Sequence, residues 1–421
     1  MNQQNSLAEM VAARREKLME QMGEGLALIN SAGPAPDPLL HDKNLYYLTG
    51  LTSKKAVLLL APQPVAIDHW RTIHGPEVGR GRQVREALFV EERDEKQAFM
   101  DGAGDTFDDI RARTGVPAVY NLSELNGFLA RVLPKQKLLW LNTPGAPPLD
   151  GPLPPEIAAI NAIRERYWWL RYLNIAPLIH DMRWVKEPYE IDCLRRAFAI
   201  HADIYRKMMP LLKPGVNEAL GHAFFEHELR LQPPEITFGL DDYDASIIVA
   251  SGKNTAVAHY MDNNCEIQDG DLVLLDAGVI CSGYSSDITT TFPANGHFSP
   301  RQRELYTVVL EAHKKAIATM KPGSTQLAAH KAVYDHFDAH GLAQYNYGNC
   351  GHPVGLNIHD ANGEQDRPLE PGVVLVIEPF LAIPEEGIGI RIESGVLITE
   401  DGCELLPDAP KEIDEIEALC A

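Results

Sequence analysis

Four acids and two histidines in this chain have the types and spacing of a metal site. His352 and His359 stand seven residues apart in CGHPVGLNIHD, Cys350 to Asp360. Pro353 and Gly355 argue against a helix that would stack the two on one face. On one regular strand, the odd spacing would send them to opposite faces. The pair is therefore either two unrelated structural histidines or two arms of one site built on irregular backbone. Asp276 closes the apolar run of GDLVLLDAG, and Glu378 closes that of GVVLVIEPF. Asp287 follows Asp276 beyond the turn-prone CSGYSSD, and Glu393 follows Glu378 beyond IPEEGIG. Acids are seldom buried unless paired or bound to a metal. Converging carboxylates repel by roughly 4 kcal/mol per pair at about 4 Å and an effective dielectric of roughly 20. Two divalent cations would supply the opposing charge. Oxygen ligands with one imidazole suit Mn, Fe, Co or Zn, and carboxylate-bridged ions would hold an activated water between them. His352 is then the expected fifth ligand, and His359 is left for substrate.

These residues need elements to bring them together. Asp276 and Asp287 would face each other if LVLLDAG and DITTTF pair as a hairpin. Arg391 and Glu393 are two apart in IRIES and share a face if that segment is a strand. The hydroxyls of DITTTF fit a strand by propensity and receive no role. The helical pattern of KEPYEIDCLRRAFAIHADIYRKMMPLL runs to KPG, Lys213 to Gly215, and a second helix, TVVLEAHKKAIATM, runs to KPG, Lys321 to Gly323. Each KPG precedes another helical pattern, and each half then reaches an apolar strand ending in an acid. Helix, KPG, helix, strand and acid in the same order twice reads as an internal duplication offset by a little over a hundred residues. It aligns Asp276 with Glu378, so a pseudo-two-fold would carry both acids to a shared centre.

The front of the chain reads as mixed α/β. KAVLLLAP and EALFVEE have the look of core strands. Between them, residues 63–85 form a long connection bearing Arg71, Arg80, Arg82 and Arg85, a solvated loop or a lid or partner contact. NTPGAPPLDGPLPPE reads as an exposed connection, and IAAINAIRERYWWLRYL as a short helical segment. A length of 421 residues favours two domains, with expected bounds of 1–178 and 179–421. The net charge of −21 argues against nucleic acid and against an anionic membrane surface. The six cysteines are scattered without framework spacing and read as free thiols in a reducing compartment. The N-terminal stretch lacks an apolar signal core, and a cytoplasmic location is expected.

LLDAG, SSDITTTF, GHPVGLNIHD, VIEPF and GIRIES together resemble, in order, the motifs of the pita-bread metallopeptidases. HDKNLYYLTGL and MRWVKEPYEIDCLRRA resemble segments of aminopeptidase P and prolidase, so the likeness covers nearly the whole chain. It implies a C-terminal pita-bread catalytic domain with an internal pseudo-two-fold, behind a smaller creatinase-like α/β domain. It implies Asp276, Asp287, His352, Glu378 and Glu393 as ligands of two divalent ions, manganese first and cobalt, zinc or iron as alternatives. Glu378 would also shuttle a proton. His259, in AVAHYMDNN, matches a substrate-site histidine, and His359 one that steadies the tetrahedral intermediate. Arg391 matches an arginine supporting the second-half ligand strand. The chain departs from the pattern at Pro353, at Asn357 where Asp is common, and in YNYGNCGH, which lacks a histidine. The implied activity is Xaa-Pro aminopeptidase, on peptides with proline second, in a homodimer or homotetramer. An Xaa-Pro dipeptidase is the alternative. A catalytically silent binding module is a further one, disfavoured because such relatives have lost ligands.

Overall fold

The computed structural model describes residues 3–30, 43–52, 55–66, 83–93, 95–143, 155–238, 247–347, 350–360 and 364–421. The chain divides into two compact units, Met1–His180 and Asp181–Ala421.

The first unit is built on a six-stranded mixed sheet. Its strands are β1 (Leu26–Asn30), β2 (Ala56–Ala66), β3 (Gln83–Val90), β4 (Val119–Asn121), β5 (Leu138–Leu141) and β6 (Arg171–Asn174), in the order β4-β3-β2-β1-β5-β6. Antiparallel pairing joins β1, β2 and β3, while β4, β5 and β6 are added in parallel. Leu28, Leu59, Phe89, Phe128 and Leu139 meet in its core. The polar N-terminal helix, Gln3–Met22, is pinned by the buried Arg15, whose guanidinium donates to the carbonyls of Leu48 at 2.8 Å and Thr114 at 3.0 Å.

Two readings of this unit need correction. The helix expected through IAAINAIRERYWWLRYL ends at Arg166, and Arg171–Asn174 is a strand. Pairing with β5 overrides the helical pattern there. The connection expected at 63–85 is shorter at both ends. Gln63 to Ala66 continues β2 past a register shift between Leu60 and Val65, where Pro62 and Pro64 have no N–H for the ladder. Arg85 lies on β3 and pairs with Glu16 at 3.0 Å. Arg71, Arg80 and Arg82 lie outside the described residues.

The second unit carries the same plan twice. Its first half has helices Pro188–Met208 and Ala219–Arg230 around the KPG at 213–215. The first helix stops short of KPG, and a 3-10 turn, Met209–Leu211, leads out through Pro210. Strands β7 (Ile236–Phe238), β8 (Ile248–Ser251), β9 (Leu272–Ala277), β10 (Val279–Cys281), β11 (Tyr284–Ser285) and β12 (Ile288–Pro293) follow. The second half has helices Pro300–Ala318 and Gln326–Ala339 around the KPG at 321–323, then β13 (Val374–Ile377), β14 (Phe380–Ile383), β15 (Ile388–Arg391), β16 (Ser394–Ile398) and β17 (Cys403–Leu405).

The two halves share a pair of backbone bonds at the end of each KPG. Gly215 N–H donates to Ile267 O and Ile267 N–H to Val216 O, both at 2.8 Å; Gly323 N–H donates to Leu369 O at 2.9 Å and Leu369 N–H to Ser324 O at 2.8 Å. An outer antiparallel pair, β9 with β12, encloses an inner pair, β10 with β11. Likewise β13 with β16 encloses β14 with β15. The inner turn at Ser282-Gly283 has φ of 48° and 86°, the two positive values a tight two-residue hairpin requires.

Candidate metal centre

The acids sit where an outer strand pair gives way to an inner one. Asp276 is the fifth residue of β9, opposite Thr289. Asp287 directly precedes β12, two residues before Thr289. Glu378 directly follows β13, and Glu393 directly precedes β16, its N–H donating to Thr289 O at 3.0 Å. His352 arrives on an extended segment that runs antiparallel to β13. Val354 N–H donates to Val374 O at 3.2 Å, Val376 N–H to His352 O at 2.9 Å, and Glu378 N–H to Cys350 O at 3.0 Å. That ladder puts His352 beside Glu378.

His352 Nε2 lies 3.5 Å from Asp287 Oδ2, 3.8 Å from Glu378 Oε1 and 4.0 Å from Glu393 Oε1. Its Nδ1 is 3.1 Å from Pro353 O. A carbonyl can only accept, so Nδ1 carries the proton and the Nε2 lone pair faces the acids. One ligand atom each from Asp287, His352 and Glu393 lies within 4.8 Å of the others. Asp287 and Glu393 are buried, at 5% and 1% exposure. Asp287 Oδ1 and Glu393 Oε1 are buried without any hydrogen-bond partner. Such oxygens are costly unless a cation meets them. Burial pushes both carboxyls well above the usual range, and the neighbouring acids add to it. Burial also raises Glu378, against the pull of His352 and Arg391. Orphaned oxygens, a histidine in the ligating tautomer and acids that resist charging together fit divalent metal.

Arg391 joins the two halves. Its buried guanidinium pairs with Asp276, donates from Nε to Thr289 Oγ1 at 3.2 Å, and donates from Nη1 to Ala258 O at 2.9 Å. Burial opposes its charge, but Asp276, Glu378, Glu393 and Asp287 outweigh that and raise its pKa. Thr289 Oγ1 donates to Glu393 Oε2 at 2.7 Å, and Thr291 Oγ1 donates to Arg391 O at 2.9 Å. The sequence reading passed over these threonines, which are wholly buried. The signal was a run of hydroxyls placed directly after Asp287 on the strand facing Asp276.

The two histidines of the opening motif do meet, on irregular backbone. The rings of His352 and His359 are 4.0 Å apart between centroids, at 68°. The chain folds back through Gly355 N–H to Asn357 O at 3.0 Å and Asp360 N–H to Pro353 O at 2.9 Å. Asp360 is buried against Arg183 and against Lys186 Nζ at 3.2 Å. Both cations lie in the quoted segment MRWVKEPYEIDCLRRA, where neither received a role. His359 is exposed, as is His259, which follows the carbonyl held by Arg391.

Known proteins bear on this arrangement. The profile of metallopeptidase family M24 matches residues 192–400, and that of the aminopeptidase P N-terminal domain matches residues 11–140. The Xaa-Pro aminopeptidase of Escherichia coli is 30% identical over 457 aligned positions, covering 96% of this chain and 96% of that protein. The chain belongs to metallopeptidase family M24. It resembles the solved structure of Pseudomonas aeruginosa aminopeptidase PepP with a TM-score of 0.81 at 28% identity, over 98% of both chains. It resembles E. coli aminopeptidase P with the inhibitor Pro-Leu with a TM-score of 0.80 at 29% identity, again over 98% of both. The second unit is therefore an M24 pita-bread catalytic domain, preceded by an aminopeptidase P N-terminal domain. The chain is an M24 metallo-exopeptidase, and the buried, partnerless carboxylate oxygens lie in its M24 region.

Proposed function

We propose that this exopeptidase removes the residue that precedes proline at a peptide N-terminus, using two divalent ions held by Asp276, Asp287, His352, Glu378 and Glu393. The observation that carries the reading is the meeting of the acids around His352 Nε2 with two buried carboxylate oxygens left unsatisfied. The substrate class rests on the relatives named above. Pro-Leu, the inhibitor of the E. coli aminopeptidase P, is what remains when one residue is removed from Xaa-Pro-Leu.

Bound ions would act as Lewis acids and lower the pKa of a coordinated water. Manganese is the ion proposed first. The protein's own residues do the rest. Glu378, beside His352, takes the proton of the attacking water and delivers it to the leaving prolyl nitrogen. His359 donates to the carbonyl oxygen as charge develops there. His259 holds the substrate, and Arg391 fixes Asp276. The location proposed is the cytoplasm and the assembly a homodimer or homotetramer.

The test is hydrolysis of Ala-Pro and Ala-Pro-Ala side by side, with Mn, Co and Zn each supplied and His352→Ala as control. Release of alanine from the tripeptide, lost in the variant, is the expected result. Cleavage of the dipeptide alone would make the enzyme a dipeptidase, and cleavage of neither would overturn the reading.

A further inference from the structure

Glu218 is a wholly buried carboxylate far in sequence from the acids of the metal centre. It accepts five hydrogen bonds, all from neutral donors. Oε1 takes Ser251 N–H at 2.7 Å, Ser251 Oγ at 2.6 Å and Asn254 Nδ2 at 3.4 Å. Oε2 takes Tyr260 OH and Cys265 N–H, both at 2.9 Å. Ser251 and Asn254 precede His259, and Tyr260 and Cys265 follow it. One side chain thus closes both ends of the loop that presents His259. Tyr260 also packs with Leu274 and Phe380, beside strands that carry the acids.

The internal repeat supplies the second observation. Glu218 is the third residue after the glycine of the first KPG. The third residue after the glycine of the second KPG is Gln326. Gln326 is also buried, and its Nε2 donates to the carbonyl of Gly351, the residue before His352. The chemistry differs because the targets differ. The first loop offers N–H and O–H groups, which need a carboxylate; the second offers a carbonyl, which needs an amide donor.

We infer that Glu218 and Gln326 are a matched pair of positioning residues, the first fixing the loop of His259 and the second fixing the loop of His352. The inference rests on the reading that His259 meets substrate and His352 meets metal. Its structural half is tested without activity, by hydrogen exchange. Glu218→Gln should speed exchange of amides 257–263 and leave 350–356 unchanged; Gln326→Ala should do the reverse. Tyr260→Phe, which removes only the hydroxyl that reaches Glu218 and Cys265 Sγ, serves if Glu218→Gln does not fold.

The functional half follows from titration with Mn2+ alone and from a double-mutant cycle. Gln326→Ala should weaken Mn2+ binding by roughly tenfold or more, while Glu218→Gln leaves it unchanged. Glu218→Gln should lower kcat/KM for Ala-Pro-Ala by roughly tenfold, and add almost nothing in a His259→Ala background. Loosening of both loops by either variant, or full additivity with His259→Ala, would overturn the inference. Inactive wild-type protein with the crossed exchange pattern intact would instead overturn the proposed activity and leave the positioning roles standing.

Discussion

Thr289 has no chemistry of its own, yet its hydroxyl accepts from Arg391 and donates to Glu393. Removing it leaves a buried guanidinium N–H and a buried carboxylate oxygen short of one partner each. Thr289→Val is nearly isosteric and is expected to cost about 1–3 kcal/mol of stability, read by chemical denaturation. It should also weaken Mn2+ binding by roughly 10–100-fold, read by titration calorimetry. Glu378→Gln keeps the shape but cannot carry a proton, and kcat for Ala-Pro-Ala should fall by roughly 10²–10⁴-fold. Retained turnover would remove Glu378 from the proposed proton path. The acids and histidines were legible in sequence because their types are costly without a reason. Thr289 was not, since a threonine in a strand is already explained by propensity. Glu218 was hidden similarly, as one acid at the start of an ordinary helix.

The His352 segment is held by its neighbour strand rather than by its own pattern. Cys350 to Val354 borrows the edge of β13 through three backbone bonds. With Pro353 and two glycines nearby, it does not read as a strand, and the pairing could not be seen from sequence. Gly351 makes the approach possible. Its φ is 142°, and a Cβ there would run into the carbonyl of Val376. Gly351→Ala is expected to cost about 1–3 kcal/mol and to loosen Mn2+ binding, because His352 must move with its backbone. A thermal melt and a Mn2+ titration of the variant check this, and unchanged Mn2+ affinity would contradict it. The pairing of β9 with β12 was legible from an acid, a turn and an acid between apolar runs, but β10 and β11 form the hairpin inside it and Asp276 stands opposite Thr289 rather than Asp287. The strand Arg171–Asn174 was not, because its pairing partner lies a full helix earlier in the chain.

At the scale of the whole molecule, the duplication was readable from the two KPG stops and the two strands ending in acids. The matched backbone bonds around Gly215 and Gly323 are its structural form. The centre also sets how stability depends on pH and metal. Asp287, Glu378 and Glu393 have raised pKa values in the metal-free fold. That fold therefore keeps protons the unfolded chain has released above about pH 4. The contribution of these groups is fully present below that pH and is lost as pH rises through their folded values. Metal must displace those protons, so its stabilisation grows with pH. The Tm gained from Mn2+ should be larger at about pH 8 than at about pH 5, and the reverse order would contradict the assignment of these acids as ligands. The most direct test of the central claim is to strip the protein of metal and follow Ala-Pro-Ala cleavage while counting the Mn2+ that binds. The account predicts no turnover without metal and full turnover at two ions per chain, with Ala-Ala-Ala left uncut. Equal turnover in stripped protein, or none with Mn, Co or Zn, would contradict it.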